Sequence, residues 1–375
     1  MRNPAGAVRA ALLAAVTLPQ WAMADYALNM TPGVTDISRK VYDLHMLIFY
    51  ICCAIAVVVF GAMFYSILRH RKSQGHQPAT FHESTAVEVV WTIVPFLILV
   101  GMAVPAAKTL IAMENTADAD LTVKITGYQW KWRYDYLDGD AAGVGFFSNL
   151  ATPRAQIENR DAKGEHYLLE VDNPLVLPVG KKVRFLLTAN DVIHAWWVPD
   201  LAIKKDAIPG FINEVWTEIK EPGVYRGQCA ELCGKDHGFM PVVVVAMNEK
   251  DYLAWAAEQK AASGAAAAAA DRQWGKQDLM AKGKQVYDTN CAACHQANGQ
   301  GIPGTFPPIR GSKVATGPLD EHIAVVMNGR PGTAMQAFAG QLDDVSLAAV
   351  ITYQRNAFGN DTGDVVQPKQ IKALR

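Results

Sequence analysis

The sequence has little net charge and few cysteines. Its 35 basic and 36 acidic residues leave a formal net charge of -1, and charged residues make up only 19% of the chain. This balance argues against nucleic acid as a partner and against long-range steering of a charged substrate. The six cysteines leave none that demands a structural disulfide, because each pair lies in a motif with another explanation. The length of 375 residues predicts two or three domains.

Apolar runs long enough to cross a bilayer are limited to two after the N-terminal segment, at about residues 43–68 and 86–110. The basic residues Arg69, Arg71 and Lys72 lie in the short loop between them, which places that loop on the cytoplasmic side. We therefore predict a transmembrane helical hairpin over residues 25–115 with both ends outside. Two spans in contact with lipid form an anchor and not a channel.

The N-terminal residues 1–24 have the pattern of a secretory signal peptide. Arg2 and Arg9 precede an apolar run, and Ala22-Met23-Ala24 is a small-x-small cleavage pattern. An uncleaved anchor helix is the alternative. An exported chain agrees with the orientation that the basic loop predicts.

Residues 116–252 have the sequence pattern of an all-β domain. The segment LTVKITGYQWKWRYDY alternates, which puts Tyr128, Trp130 and Trp132 on one face of a strand and Lys131 on the other. Further strands are predicted at HYLLEV, KKVRFLLTA, EVWTEI and MPVVVVAM, separated by Pro/Gly turns. Many short strands of this kind favour a sandwich or barrel.

The loop CAELCGKDHGFM contains Cys229, Cys233, His237 and Met240, and His194 precedes it in DVIHAWWVPD. Thiolate, imidazole and thioether together suit copper. Two cysteines four residues apart allow both thiolates to bridge two copper ions, each with one histidine and one weak axial ligand. A Cys2His2 zinc site and a Cys229–Cys233 disulfide are the alternatives.

The segment CAACH, residues 291–295, is a haem c attachment motif, with thioether bonds from Cys291 and Cys294 and iron ligation by His295. Met335, in the Gly/Pro-rich segment GRPGTAMQAF, is the predicted second axial ligand. His322 is a weaker rival. Met327 has helical spacing and is assigned to the core.

The motifs GQCAELCGKDHGFMPV, DVIHAWWVPDLAIKKDAIPG and VEVVWTIVP resemble subunit II of cytochrome c oxidase, in order, over about residues 35–250. The resemblance implies a cupredoxin domain with the dinuclear copper A centre. It also implies that the side chain of Glu231 is directed to a magnesium ion at the contact with subunit I. The implied ligands are His194, Cys229, Cys233, His237, Met240 and the backbone carbonyl of Glu231.

The resemblance also implies roles for two residues outside residues 229–240, which we call the copper loop. Trp130 corresponds to the tryptophan where electrons enter from cytochrome c, although this chain has GYQWKW where the mitochondrial type has GHQWYW. Lys131 thereby departs from the acidic docking surface of that type. Glu88, three residues before Trp91-Thr92, corresponds to a glutamate at the mouth of a proton pathway. The alternative for Glu88 is interfacial snorkelling.

Residues 276–360 resemble a small class I cytochrome c, in which FPPIRGS is similar to the loop on the proximal side of the haem. An Ala-rich linker with some helical content, residues 253–275, precedes this domain, and a tail, residues 361–375, follows it. The expected fold class is a multidomain membrane protein with a transmembrane hairpin, an all-β cupredoxin domain and an all-α cytochrome c domain. A fused cytochrome c resembles the caa-type oxidases of bacteria, in the inner membrane with the copper and haem domains on the periplasmic side.

These features predict the electron-entry subunit of a haem-copper terminal oxidase. Haem c accepts electrons from cytochrome c or another donor and passes them through copper A to haem in subunit I, with subunit III as a further partner. Oxygen reduction to water and proton translocation occur in subunit I, because the two spans here have too few histidines to ligate those centres. A copper A nitric oxide reductase, a membrane-tethered copper-binding or delivery protein and a quinol oxidase subunit II are the alternatives.

Overall fold

The computed structural model describes residues 29–77, 80 and 82–375. The predicted signal peptide therefore lies outside the described residues. The chain divides into two compact units, Met1–Thr109 and Leu110–Arg375.

The first unit is built from two long apolar helices, α1 (Asp36–Arg69) and α2 (Thr85–Met113). Thr35 caps α1 in a reciprocal capping box with Ser38. Both helices are long and apolar enough to cross a membrane. Their apolar side chains point outward, as the 74% exposure of Val57 illustrates. The predicted transmembrane hairpin is confirmed, with helices longer at each end than the apolar runs.

The second unit begins with a β-sandwich. The described residues form two five-stranded sheets, with strand orders β3-β2-β1-β5-β8 and β4-β10-β9-β6-β7. The strands are β1 (Leu121–Tyr128), β2 (Lys131–Tyr136), β3 (Gly145–Ser148), β4 (Leu175–Pro178), β5 (Val183–Ala189), β6 (His194–Val198), β7 (Ile203–Ala207), β8 (Asn213–Thr217), β9 (Gly223–Cys229) and β10 (Pro241–Met247). A four-residue helix, α3 (Arg154–Ile157), lies between β3 and β4.

Buried aromatic side chains join the two sheets. The hydroxyl of Tyr136 donates to the carbonyl oxygen of Val176 at 2.8 Å, and the indole of Trp196 donates to the hydroxyl of Tyr134 at 3.3 Å. Each bond links a strand of one sheet to a strand of the other. The predicted all-β domain is therefore a sandwich whose two sheets are joined by hydrogen bonds as well as by apolar packing.

The alternating aromatic segment is a hairpin and not one strand, which corrects the sequence interpretation. β1 and β2 pair antiparallel, and the last pair is Tyr128 with Lys131, so Gln129 and Trp130 form the turn. Paired residues of an antiparallel ladder point to the same face, so the face shared with Trp132 changes from odd positions in β1 to even positions in β2 across this turn. Trp130 consequently leaves the buried aromatic face, and Lys131 is buried with 6% exposure.

The predicted strand HYLLEV is also wrong. Residues 165–168 form turns, and only an isolated bridge joins Val171 to Leu150. Leu168 has a positive φ of 62°, and its amide donates to the hydroxyl of Thr152 at 3.0 Å. A left-handed residue bonded to a side chain cannot continue a strand ladder.

The Ala-rich segment is mostly one helix, α4 (Glu249–Asp271), capped by Asn248. Near its start, Trp255 packs on Tyr136 of the sandwich, with ring centroids 5.3 Å apart. Near its end, Asp271 pairs with Lys372 at 2.8 Å. The linker is thus held at both ends.

The C-terminal part is helical, as predicted for a cytochrome c domain. Its helices are α5 (Lys276–Asn290), α6 (Ala292–His295), α7 (Lys313–Thr316), α8 (Leu319–Asn328), α9 (Asp344–Asn356) and α10 (Pro368–Lys372). The α5 and α9 helices approach closely at Gly283, where an added Cβ would lie 2.1 Å from the carbonyl oxygen of Ala349. Glycine is therefore needed at this crossing. The tail packs through α10, whose Ile371 is fully buried.

Candidate copper centre and haem pocket

The copper loop connects the end of β9 with the start of β10. Cys229 is the last residue of β9, and its amide donates to the carbonyl oxygen of Met240 at 3.0 Å, which closes the loop at its base. Met240 is itself buried, with 1% exposure. His237 begins a short 3₁₀ turn inside the loop. The strand pair thus fixes both ends of an irregular segment that holds four of the predicted ligands.

The two thiols lie side by side, and each contacts its own histidine. The Sγ atoms of Cys229 and Cys233 are 3.8 Å apart. Nδ1 of His194 is 3.9 Å from Sγ of Cys229, and Nδ1 of His237 is 3.5 Å from Sγ of Cys233. Ligand atoms of His194, Cys229 and Cys233 all lie within 4.8 Å of one another. Both cysteines are free, so the disulfide alternative is not realised.

The backbone of Glu231 completes the ligand cluster. Its carbonyl oxygen lies 3.4 Å from Sγ of Cys229, while the residue itself is exposed. The carbonyl therefore points inward and the side chain is accessible from outside.

The two thiols are linked by a hydrogen bond, so each shifts the pKa of the other. A hydrogen bond with Cys233 lowers the pKa of Cys229, and the same bond, with burial, raises the pKa of Cys233. Burial disfavours protonation of His194, but hydrogen bonds with Asp191 and Cys229 outweigh it and raise the pKa of His194. Buried, closely spaced thiols of this kind are a site for a cation that displaces their protons.

Asp191 contacts a predicted copper ligand and was not among the residues that the sequence predicted for the site. One carboxylate oxygen lies 2.9 Å from Nε2 of His194, and the other accepts from the backbone amide of Gln129 at 2.8 Å. Such a partner fixes the orientation and tautomer of a ligating histidine. Its position three residues before the histidine in DVIH was the available signal.

The β1–β2 turn lies against the copper loop. The indole of Trp130 donates to the carbonyl oxygen of Cys233 at 3.1 Å, and the side-chain amide of Gln129 donates to the same oxygen at 2.8 Å. Beneath the turn, an added Cβ at Gly127 would lie 2.7 Å from Cδ2 of His194. The His194 ring thus needs a glycine to occupy its position.

The haem attachment motif lies at the end of α5 and in α6. Nδ1 of His295 donates to the carbonyl oxygen of Pro307 at 2.8 Å, which leaves Nε2 as the free ligand atom. Burial lowers the pKa of His295 and keeps the ring neutral. Cys291, Cys294 and His295 line a cavity of about 1200 Å³. Free thiols, an oriented imidazole and a cavity of this size together fit a covalently bound haem.

The cavity also contains the rival axial ligands. Met335 lines it from the loop after α8, and an added Cβ at Gly329 would lie 2.5 Å from the Met335 carbonyl oxygen. His322 lines it as well; its Nε2 is bonded to Oε1 of Gln354 at 2.9 Å, its Nδ1 is buried without a partner in the described residues, and burial lowers its pKa to about 4. Met327 is buried in the core of this domain.

Glu88 lies in the first unit. It is exposed, in the first turn of α2, and the hydroxyl of Thr92 donates to its backbone carbonyl at 2.8 Å.

Comparison with known proteins identifies all three parts. Family models for the periplasmic and transmembrane domains of cytochrome c oxidase subunit II match residues 121–247 and 23–109. The model of cytochrome c oxidase, cbb3-type, subunit III matches residues 278–353. "Probable cytochrome c oxidase subunit 2" of Rickettsia prowazekii is 39% identical over 233 residues, which cover 62% of this chain and 72% of the relative. The chain belongs to the cytochrome c oxidase subunit II family.

Other relatives of this subunit II include the mitochondrial cytochrome c oxidase subunit 2 of Vigna unguiculata. It is 37% identical over 238 residues, with 62% of each chain covered. The solved periplasmic domain of cytochrome oxidase subunit II from Bradyrhizobium japonicum is 41% identical, covers 39% of this chain and 96% of that one, and has a TM-score of 0.35.

Family membership confirms the predicted function at the level of the subunit. The chain is a membrane-anchored subunit II of a haem-copper oxidase complex, with a periplasmic copper domain and a fused cytochrome c domain. The family implies copper A, and the cytochrome c domain implies haem c.

Proposed function

We propose that this subunit II receives electrons at haem c and passes them through a dinuclear copper centre to haem in subunit I. Oxygen is reduced to water there, coupled to proton translocation. When bound, the haem and the copper pair each supply one-electron redox chemistry. The upstream donor is cytochrome c or a similar carrier, and subunit III is a further partner.

The observation that carries the copper proposal is the pairing of each thiol with a separate histidine. A zinc ion would need two cysteines and two histidines to converge on one tetrahedral point. Here His237 contacts Cys233 at 3.5 Å and is not in the cluster formed by His194, Cys229 and Cys233. Two thiols between two imidazoles would instead hold two copper ions, with Met240 and the carbonyl oxygen of Glu231 as further, weaker ligands.

Three further roles rest on this centre. Trp130 is proposed as the electron-entry residue, supported by its hydrogen bond to the Cys233 carbonyl. The exposed side chain of Glu231 is proposed to bind magnesium at the contact with subunit I. Glu88, in the first turn of α2, is proposed at the mouth of a proton pathway.

Within the haem pocket, we assign Met335 as the axial ligand opposite His295. Met335 lies on the Gly/Pro-rich loop that lines the cavity, whereas His322 is held in helix α8 with 3% exposure. Replacement of Met335 by Ala is expected to change the haem spectrum and to lower the reduction potential, whereas His322→Ala is expected to leave the ligation intact.

Electron paramagnetic resonance of the full-length protein in detergent tests the copper assignment. We expect two copper ions per chain and a seven-line hyperfine pattern from one electron shared by both. Cys229→Ser and Cys233→Ser are each expected to abolish the pattern, while the matched control Cys52→Ser keeps it. A four-line pattern, or zinc in place of copper, contradicts the proposal. Cyanide-sensitive oxygen uptake by the assembled complex tests the reaction itself.

A further inference from the structure

The cavity that contains the haem attachment motif is closed on one side by the copper domain. Trp130 and Lys131 line it together with Cys291, Cys294 and Met335. The proposed electron-entry turn of one domain thus forms part of the wall of the haem site of the other.

Three polar contacts hold the two domains together at this place. Nζ of Lys131 donates to Oδ1 of Asn290 at 2.8 Å, one residue before Cys291. Gln336, which follows Met335, donates from its amide to the backbone oxygen of Gln129 at 3.0 Å.

The third contact comes from the copper loop itself. Nζ of Lys235, between Cys233 and His237, donates to the carbonyl oxygen of Ala293, between Cys291 and Cys294, at 2.9 Å. Each of the three contacts therefore joins the segment Gln129–Lys131 or the copper loop to a residue adjacent in sequence to a proposed haem-binding residue.

Lys131 is the most buried member of this interface. It has 6% exposure, and its ammonium lies 4.8 Å from the ring centre of Phe147 and 5.7 Å from that of Phe338. Phe147 belongs to the sandwich and Phe338 to the cytochrome domain. A buried lysine is costly unless it is paired, and here the pairing partners come from both domains.

We propose that Lys131 holds the cytochrome domain on the Trp130 turn and that this docking closes the turn to soluble electron donors. The cytochrome domain of the same chain permanently covers the surface around Trp130, so an external donor docks on the cytochrome domain instead. One electron then passes from reduced haem c to the oxidised copper pair, with no bond made or broken. This inference rests on the proposed function, because it takes Trp130 as the entry residue.

Amine labelling of the full-length, metal-loaded protein with an acetylating reagent tests the docking directly. Lys163 is a matched control, since it is exposed and its ammonium lies 4.3 Å from the ring centre of Tyr167 in the same sandwich. We expect Lys131 to react about tenfold or more slowly than Lys163. Asn290→Ala is expected to raise labelling of Lys131, whereas Asn298→Ala, at an exposed position of the same domain, leaves it unchanged. Equal labelling of Lys131 and Lys163 in the unaltered protein overturns the proposal.

Stopped-flow reduction by a soluble cytochrome c provides the second measurement. In the unaltered protein, copper reduction is expected to follow haem c reduction at a rate independent of donor concentration. Lys131→Glu is expected to slow this internal step by about tenfold or more, because it removes the effective concentration that docking supplies. Lys163→Glu leaves it unchanged. An unchanged internal rate in Lys131→Glu overturns the proposal.

The copper resonance and the haem spectrum, recorded on the same samples, separate this inference from the proposed function. Intact signals with a freely labelled Lys131 refute the docking alone. A missing seven-line signal in the unaltered protein refutes the copper centre whatever the labelling shows.

Discussion

The indole nitrogen of Trp130 lies 3.1 Å from the carbonyl oxygen of Cys233 and donates a hydrogen bond to it. The β1–β2 turn is thereby bonded to the backbone of a proposed copper ligand. A second donor, the side-chain amide of Gln129, bonds to the same oxygen. The Cys233 carbonyl therefore keeps one donor if the other is removed, so a role of Trp130 in electron transfer can be separated from a role in holding the loop.

Trp130→Phe tests this division of roles. The substitution keeps an aromatic ring and removes the donor, while Gln129 still satisfies the Cys233 carbonyl. We expect a loss of about 1 kcal/mol in the free energy of unfolding, unchanged copper resonance and slower electron transfer from haem c to copper. Trp216→Phe is the control, because its indole bonds to Ala112 and to neither site. Equal transfer rates in both variants contradict an entry role for Trp130.

Asp191→Ala tests the residue behind His194. The substitution removes the hydrogen-bond partner of His194 Nε2 and the acceptor of the backbone amide of Gln129. We therefore expect copper affinity to fall by about 10- to 100-fold. Competition with a chelator measures this affinity. Asp191→Asn keeps an acceptor oxygen and is expected to retain more copper than Asp191→Ala. Asp161→Ala, at an exposed position, serves as the control, and a loss of copper there equal to that in Asp191→Ala contradicts the assignment.

Gly283→Ala and Gly264→Ala apply one substitution to two helices with opposite expected results. At Gly283 the new Cβ would meet the backbone of Ala349 at 2.1 Å, and the helices must separate. We expect a loss of about 2 kcal/mol. Gly264 has nothing within 4 Å, so alanine is expected to stabilise α4 by about 0.5–1 kcal/mol. Denaturant unfolding followed by the haem absorbance measures both, and a stable Gly283→Ala protein contradicts the close crossing.

Burial lowers the pKa of Lys131 from 10.5 to about 8. Protonation therefore costs stability in the folded protein, and this cost is absent above the unfolded pKa. Stability is expected to rise with pH between about 8 and 10.5, where the unfolded state binds the proton and the folded state does not, and this contribution levels off below 8 and above 10.5.

Comparison with Lys131→Met isolates this contribution. The difference in free energy of unfolding between the two proteins should change by about 3 kcal/mol over this window. A constant difference across the window contradicts a buried, charge-destabilised Lys131.

All the residues proposed as copper and haem ligands could be predicted from the sequence, because copper and haem sites depend on short motifs with fixed spacing. Residues 229–240 and 291–295 carry both chemistry and local geometry, so both sites could be inferred before any fold was known. Asp191 was missed because its position three residues before His194, the one local signal, does not by itself indicate a contact with that histidine. Its role depends on a strand that begins three residues later and on a turn far away in the chain.

The errors in the fold have equally specific causes. The aromatic residues at even positions from Tyr128 to Tyr136 suggested one strand, although the face that packs with Tyr134 and Tyr136 changes from odd positions in β1 to even positions in β2 across the Gln129-Trp130 turn. The burial of Lys131 depends on the cytochrome domain, which contacts it across 159 positions of sequence. No local pattern around residue 131 contains that information.

The continuous helix α4 changes the nature of the tether. A flexible linker would set only an average separation, whereas 23 helical residues form a rod about 34 Å long. In such a rod, length and rotational phase are inseparable, since each added residue advances the axis by about 1.5 Å and turns it by about 100°. The spacing between the copper domain and the cytochrome domain along this helix is therefore coupled to their mutual orientation. Only an insertion or deletion of nearly whole helical turns would change the spacing and leave the orientation unchanged.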